Sequence, residues 1–202
     1  MGRSRSDEDS NGFKRAKPCI PAESWSPMRV SVFVGVSLDG FLARKNGKYD
    51  FLFLKPNVDN GYNDFIATVD ALVIGRGTFE VVRRSKEWPY GKKRVIVLSH
   101  APGRLRTPPG THCEFVSATP KQVVARLSKR GVKHIYVDGG KTIQGFLRAG
   151  LVQRMIITRV SVLIGEGIPL FGSVPRDIRL RHVRTRTLRN GMVQTEYLVV
   201  RR

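Results

Sequence analysis

The stretch "ALVIGRGTFE", residues 71–80, places four apolar residues directly before Gly75-Arg76-Gly77-Thr78. A short apolar run that ends at glycine predicts a buried strand, and the residues after Thr78 have the pattern of a helix. Glycine lets a backbone approach a phosphate closely, and the first amide groups of the following helix point toward such a ligand. This segment therefore predicts a strand, a tight turn and a helix that together suit a nucleotide phosphate.

The same pattern recurs further along the chain. The segment "KRVIVLS" ends at Ser99-His100, and "HIYVDGG" runs into Gly139-Gly140 before a predicted helix over "KTIQGFLRAG". Another helix is predicted over "TPKQVVARLSKRG", where Thr119 and Gln122 have the spacing of a capping box. Strands separated by helices predict an α/β fold with a mostly parallel sheet and helices on both faces.

In the C-terminal part of the chain, predicted strands follow one another without helices between them. Residues 151–165, "LVQRMIITRVSVLIG", predict one long strand, and Asn190-Gly191 separates two further strand-like segments, which is a strong signal for an antiparallel hairpin. Residues 176–189 hold six arginines. In a regular strand the pair Arg179 and Arg181 lies on one face, and the pair Arg184 and Arg186 lies on the other. The sequence thus predicts an edge hairpin with charge on both faces, which discourages sheet-to-sheet association.

Composition and charge limit the kinds of ligand, cellular location and metal site to be expected. Over 202 residues the chain has 36 Lys and Arg against 16 Asp and Glu, a formal charge of +20, which concentrates anions such as nucleic acid, phosphorylated metabolites or phosphate-bearing cofactors. No apolar run approaches the ~20 residues of a membrane span, and the N-terminus lacks a signal-peptide pattern, so a cytoplasmic protein is expected. Neither the two cysteines nor the four histidines have metal-ligand spacing. Residues 1–27 mix charged residues, Ser and Pro, which predicts a flexible arm ahead of one folded domain over 28–202.

Four motifs together resemble a known family. They are "SLDGFLA" at residues 37–43, "LVIGRGTFE", "KRVIVLS" and the long segment from "HIYVDGGKTIQGFLRAG" to "LIGEGIPLFG". In this order they resemble the dihydrofolate reductase-like fold, and especially the branch with the reductase domain of riboflavin-biosynthesis deaminase-reductases. The resemblance covers about residues 28–200. It implies a three-layer α/β/α domain with a central sheet of about eight strands, NADPH as the hydride donor, a small heteroaromatic, imine or carbonyl substrate, and a homodimer.

The resemblance also implies which residues bind the cofactor. Gly75, Arg76 and Thr78 match the element that contacts the pyrophosphate and the adenosine phosphate. An arginine just past a strand can pair with a 2′-phosphate in a bidentate way, which favours NADP over NAD. The other cofactor residues implied by the resemblance are Ser99 and His100 at the next strand end, and Gly139, Gly140, Lys141, Thr142 and Ile143 at the glycine pair.

The substrate side needs a proton source beside the hydride acceptor, and a carboxyl group commonly serves. The candidates are Asp39 in the first loop, Asp50 in "GKYDFL" and Asp138 before the glycine pair. Asp39 also suits ordinary turn chemistry, and Asp50 also suits a helix start or an exposed surface. The segment Trp88-Pro89-Tyr90 either walls a pocket or packs in the core.

Two alternative functions stay open. "GTFEVVRRSKEWP" stands where riboflavin reductases carry a Thr-Val-x-x-Asp-x-Pro element, and no zinc motif of a deaminase domain lies upstream. A reductase of the 5-amino-6-(5-phosphoribosylamino)uracil type in riboflavin biosynthesis is therefore one alternative. A non-catalytic, basic nucleic-acid-binding protein on the same scaffold is the other; the arginine-rich hairpin strand has no aromatic residue for base stacking, so such contacts would be non-specific.

Overall fold

A computed structural model describes residues 28–53, 58–85, 87–189 and 191–200. The arm predicted over residues 1–27 lies outside these ranges. The strands are β1 (Arg29–Ser37), β2 (Phe41–Ala43), β3 (Ala71–Gly75), β4 (Arg94–Leu98), β5 (His112–Val116), β6 (His134–Asp138), β7 (Arg154–Val160), β8 (Ile168–Pro169), β9 (Leu180–Thr187) and β10 (Val193–Val199). The α-helices are α1 (Tyr62–Ala67), α2 (Arg76–Val82), α3 (Pro120–Lys129) and α4 (Gly140–Arg148), and short 3-10 helices span Asp50–Phe53 and Pro102–Arg104.

Eight strands form one sheet in the order β5-β4-β3-β6-β1-β7-β10-β9. The first six are parallel to one another, and β10 and β9 continue the sheet through antiparallel pairing of β10 with β7 and of β9 with β10. This confirms the predicted mostly parallel sheet of about eight strands with a C-terminal hairpin. The remaining two strands, β2 and β8, pair with each other in a small antiparallel sheet.

Alternation along the strands builds one apolar core on each face of the sheet. In β3, Ala71 and Val73 belong to the core that contains side chains of α3 and α4, while Leu72 and Ile74 belong to the core that contains side chains of α1 and α2. All four are fully buried, and burying a Val, Leu or Ile side chain contributes about 1.5–3 kcal/mol. The three layers of the fold therefore follow from the period of two in the strand sequences.

The start of α3 is held as the sequence predicts. The Thr119 hydroxyl accepts a hydrogen bond from the Gln122 amide at 3.4 Å, and the Gln122 side chain accepts one from the Thr119 amide at 2.9 Å. Two amides that the helix itself cannot satisfy are thus paired reciprocally. None of the described helices is long and apolar enough to cross a membrane.

Two strand predictions need correction. The long strand expected over residues 151–165 is wrong, because β7 ends at Val160 and residues 161–167 form a loop. The Asp39 carboxylate fastens this loop by accepting from the amides of Ile164, at 3.1 Å, and Gly165, at 2.8 Å. Strand β5 was not predicted, since it is a mixed sequence whose residues are only partly buried or exposed.

The arginines of β9 also lie differently from the prediction. The hairpin is confirmed, but its register shifts between Glu196 and Tyr197, so that Val183 is an extra residue without a partner. Such a bulge changes the face of every residue beyond it. The expected division between two faces is therefore wrong: Arg181, Arg184 and Arg186 pair with Leu198, Glu196 and Gln194, alternate residues of β10, and all lie on one face.

Candidate active site

Two glycine turns meet at the carboxyl end of the sheet. Ile74 and Asp138 are register partners, so the turns that follow β3 and β6 are neighbours. A Cβ at Gly139, where φ is +92°, would stand less than 3.0 Å from the Thr78 hydroxyl oxygen. A Cβ at Gly75 would stand 2.8 Å from the Thr142 hydroxyl oxygen. Both glycines are thus required by the close approach of the two turns.

Two cations stand beside these turns. Arg76 is the first residue of α2, and its side chain is 55% exposed with its Nε 3.9 Å from Glu80 Oε1. Lys141 is exposed in the first turn of α4 and forms no ion pair with a described residue. Gly77 has open space around the position of a Cβ, so a ligand can approach its backbone. The edge therefore offers accessible positive charge and free backbone to an anion.

The remaining predicted cofactor residues differ in the groups that they expose to a ligand. Thr142 is buried against Gly75, and Ile143 is fully buried in the core, so Ile143 offers a ligand no side-chain contact. The Ser99 hydroxyl is nearly buried and accepts a hydrogen bond from the Ala101 amide at 3.1 Å. His100, next to it, is exposed. Because Leu98 pairs with Gly75, this third strand end lies beside the other two.

Asp138 lies between the glycine pair and a group of tyrosines. Its carboxylate accepts from the Gly139 amide at 2.7 Å and from the Tyr90 hydroxyl at 3.5 Å. Burial raises the pKa of Asp138, and the hydrogen bonds from the Gly139 amide and the Tyr90 hydroxyl offset only part of that effect. Burial and the nearby Asp138 also raise the pKa of Tyr62 to about 12. This edge of the sheet thus holds an acid that is biased toward its protonated form.

The other two candidate acids have opposite surroundings. Asp50 is exposed and forms a bidentate pair with Arg44, at 2.9 and 3.1 Å, which lowers the pKa of Asp50. Asp39 is also exposed, and hydrogen bonds from Ser37 and from the loop amides lower its pKa. Both carboxylates take part in structural contacts that favour their ionised form, which has no proton to donate.

The tyrosine group contains residues that the sequence reasoning missed. The Tyr136 hydroxyl donates to the Phe33 carbonyl at 2.8 Å, and its ring lies 6.4 Å from that of Tyr62. Tyr90, the last residue of the segment with two open interpretations, is buried with its hydroxyl at Asp138, so it is part of this site. Alternation in "HIYVD" places Tyr136 and Asp138 on one face and was an available signal. Tyr62 comes from a distant helix and had none.

No group of three His, Cys, Asp or Glu side chains suited to a metal occurs within the described ranges. The family model of the RibD C-terminal domain matches residues 29–194. The chain belongs to the RibD C-terminal domain family. This confirms the resemblance seen in the sequence. Among curated proteins, this RibD C-terminal domain chain is 32% identical to the uncharacterised protein YyaP of Bacillus subtilis strain 168 over 178 residues, which is 84% of this chain and 94% of YyaP.

Solved structures agree with the family. A candidate riboflavin biosynthesis protein of Shewanella sp. PV-4 is 35% identical, with a TM-score of 0.76, over 86% of this chain and all of that one. Dihydrofolate reductase of Enterococcus faecalis, complexed with NADP(H) and RAB-propyl, is 17% identical with a TM-score of 0.60, over 87% of this chain and 98% of its own. The expected dihydrofolate reductase-like fold is confirmed.

Proposed function

We propose that this RibD C-terminal domain protein is an NADPH-dependent reductase that reduces a C=N or C=O bond of a small heteroaromatic substrate, pterin-like or riboflavin-precursor-like. The observation that carries the proposal is the meeting of two glycine turns, accessible cations and an acid of raised pKa at one edge of the sheet. In an open α/β sheet this edge is where ligands bind.

The residues present fit a dinucleotide phosphate. Arg76 is exposed with only a distant partner, so its guanidinium is free to pair with a 2′-phosphate. Gly77 leaves its backbone open, and the first amides of α4 follow Gly139 at the same edge. NADPH, when bound, supplies the hydride. The protein holds the phosphates, and position 139 must be glycine because a Cβ there would meet the Thr78 hydroxyl.

Asp138 is the proton source in this proposal. A general acid must be protonated before the reaction, and burial favours that form of Asp138. The Tyr90 hydroxyl, 3.5 Å from Oδ2, and the Gly139 amide, 2.7 Å from Oδ1, orient the carboxyl group beside the glycine pair. Asp39 and Asp50 serve instead to fasten a loop and to pair with Arg44.

A second candidate is the 5-amino-6-(5-phosphoribosylamino)uracil-type reductase reaction of riboflavin biosynthesis. Its support is the Shewanella relative, which is described as a candidate riboflavin biosynthesis protein and is 35% identical. A deaminase/reductase of Thermotoga maritima shares the fold with a TM-score of 0.64. The two candidates differ only in substrate, so NADPH oxidation should be assayed with dihydrofolate and with the ribosylaminouracil phosphate under the same conditions.

The cofactor assignment is tested by titrating the protein with NADPH and with NADH and following fluorescence. We expect tighter binding of NADPH, and we expect Arg76→Gln to weaken it by about tenfold to a hundredfold, the range for one charged hydrogen-bonded contact. NADH affinity should hardly change. Arg84→Gln is the matched control, since Arg84 is exposed just after α2 and forms no ion pair with the residues that the structure describes. Equal NADPH affinity in both variants would remove Arg76 from the site.

The acid is tested by the pH dependence of kcat/KM with whichever substrate is turned over. Because the reaction needs protonated Asp138, the rate should fall as pH rises through the raised pKa of this residue. Asp138→Asn should lower kcat by about 10²–10⁴ and remove this pH limb. Asp50→Asn should keep the limb. A limb that persists in the Asp138 variant contradicts the role.

The oligomeric state and the cellular location are also proposals. A homodimer is implied by the family resemblance, and sedimentation velocity at micromolar protein concentration would test it. Cytoplasmic location is expected from the sequence pattern and is tested by fractionation of the source cells.

A further inference from the structure

A second concentration of charge lies far from the glycine turns, toward the amino ends of β1 and β7. Four arginines, Arg29, Arg154, Arg181 and Arg184, share one face of the sheet there, and we call them the arginine cluster. Arg154 pairs in register with Ser31, two residues after Arg29 on β1, and with Leu198 of β10. Leu198 is in turn opposite Arg181, and Glu196 is opposite Arg184.

The bulge at Val183 assembles this cluster. Without the extra residue, Arg181 and Arg184 would point to opposite faces of the hairpin. With it, both join Arg154 on the same face, two strand spacings or about 10 Å away across β10, a span that two arginine side chains can close. Several like charges on one face repel each other and destabilise the fold. An anion bound between them replaces this repulsion with attraction.

Charge compensation within the cluster is incomplete. Glu196 accepts from Arg154 at 2.7 Å and from Arg184 at 2.9 Å, and Asp70 lies near Arg29. Among the residues that the structure describes, four positive charges thus face two negative ones. The neighbouring His134 adds no positive charge at neutral pH, since burial and Arg29 lower its pKa to about 4. Arg181 forms no ion pair with any described residue.

Arg29 shows the shortage of negative partners most directly. Its Nε is buried and has no hydrogen-bond partner within the part of the chain that the structure describes, and one of its terminal nitrogens lies 3.3 Å from His134 Nδ1. Burial and the nearby Arg154 lower the pKa of Arg29, so the two guanidinium groups sense each other. A buried, unpaired donor on a cation is costly, and Arg29 as a whole is only partly buried, so an oxyanion at the accessible part of its side chain can offset that cost.

We infer that the arginine cluster binds the phosphate group of a small molecule at a site distinct from the glycine turns. His134, which lies beside Arg29, is about 13 Å from Asp138 along β6. Phe65 of α1 packs over this strand, and its ring contacts those of His134 and Tyr136. The inference therefore does not depend on the reductase proposal.

A compact phosphate suits this site better than a polynucleotide. The Arg154 side chain is only 19% exposed, and the Arg29 Nε is buried, so two of the four cations offer little surface to a bulky ligand. A continuous nucleic-acid backbone needs a row of exposed cations and gains from aromatic stacking. The aromatic pair of the hairpin, His182 and Tyr197, lies on the opposite face.

Calorimetric titration at constant ionic strength tests the site, with inorganic phosphate and glycerol 3-phosphate as probes. We expect Arg181→Gln and Arg29→Gln each to weaken binding of both probes by about tenfold, as for loss of one charged contact. Arg148→Gln, an exposed arginine at the end of α4 on the other side of the sheet, is the matched control and should leave it unchanged. NADPH affinity should be the same in all three variants, which separates this site from the glycine turns.

If the Arg29 variant fails to fold, the result for Arg181→Gln decides, because Arg181 is exposed and has no ion pair within the described ranges. Equal phosphate affinity in Arg181→Gln and Arg148→Gln overturns the site. A twelve-residue oligothymidylate serves as the competing probe. If it binds with a steep salt dependence that Arg181→Gln reduces, while neither small phosphate binds, the cluster is a polynucleotide surface and the inference is wrong.

Discussion

The close approach of the two glycine turns makes a quantitative prediction for Gly139→Ala. The new methyl group would stand less than 3.0 Å from the Thr78 hydroxyl oxygen, a separation at which the turns must shift. The backbone also has φ of +92° and ψ of 134°, a sparsely populated region that costs a residue with a Cβ about 1–3 kcal/mol. Overpacking of a tight contact adds about 1–3 kcal/mol. The substitution should therefore lower the free energy of unfolding by about 2–6 kcal/mol.

A matched glycine separates these two costs. Gly40 has φ of +87° but nothing within 4 Å of its Cβ position, so Gly40→Ala should lose only the backbone part, about 1–2 kcal/mol. Thr78→Ala removes the oxygen that the Gly139 methyl group meets. In the double variant Gly139→Ala with Thr78→Ala, the overpacking part should be regained, giving a coupling of about 1–3 kcal/mol.

Urea unfolding followed by circular dichroism measures all four variants. Equal losses in Gly139→Ala and Gly40→Ala, or no coupling between positions 78 and 139, would refute the conclusion that the turns are in contact. The same variants should be titrated with NADPH. Because the contact positions both turns, the proposed function predicts that Gly139→Ala binds NADPH more weakly than Gly40→Ala does.

Two further predictions concern the opposite end of the sheet. His134 has a pKa of about 4 in the folded protein against 6.5 when exposed, so the unfolded chain takes up a proton first as the pH falls. Between pH 7 and pH 4.5 this residue should cost about 2.5 kcal/mol of stability that His134→Gln does not lose, and urea midpoints at the two pH values check it. Glu196→Gln should destabilise by roughly 2–3 kcal/mol, because the carboxylate is 10% exposed and joins two arginines. Glu166→Gln, at an ion pair exposed on both sides, should change stability by less than about 1 kcal/mol in the same melts.

Local patterns were enough to predict the parallel sheet and its glycine turns. An apolar run that stops at glycine, as in residues 71–77, predicts both the strand and its end. Both signals, the short apolar run and the glycine that tolerates unusual φ values, lie within a few residues of each other. The capping box of α3 was predicted for the same reason. These signals depend on neighbours in the chain, and tertiary contacts did not override them.

The face occupied by each arginine of β9 could not be read in this way. Arg181 and Arg184 lie on one face only because Val183 is an unpaired extra residue, and that depends on the register with β10. Register is decided by the whole buried face of the pair, for which the sequence of one strand is not enough. The end of β7 was missed for a related reason, because a side chain from the β1–β2 loop, Asp39, holds the loop that follows it.

The three candidate acids show why the residue type alone could not choose a proton donor. Asp39 follows β1, Asp50 begins a 3-10 helix and Asp138 ends β6, each beside a turn, so the sequence presents them as equals. In the fold, amide groups surround Asp39 and a guanidinium faces Asp50, and both stabilise the ionised carboxylate. Asp138 instead lies among tyrosines in a desolvated position that favours the protonated form. The chemistry proposed for this edge therefore depends on Tyr62, Tyr90 and Tyr136, which come from a helix, a turn and a strand, as much as on the carboxyl group itself.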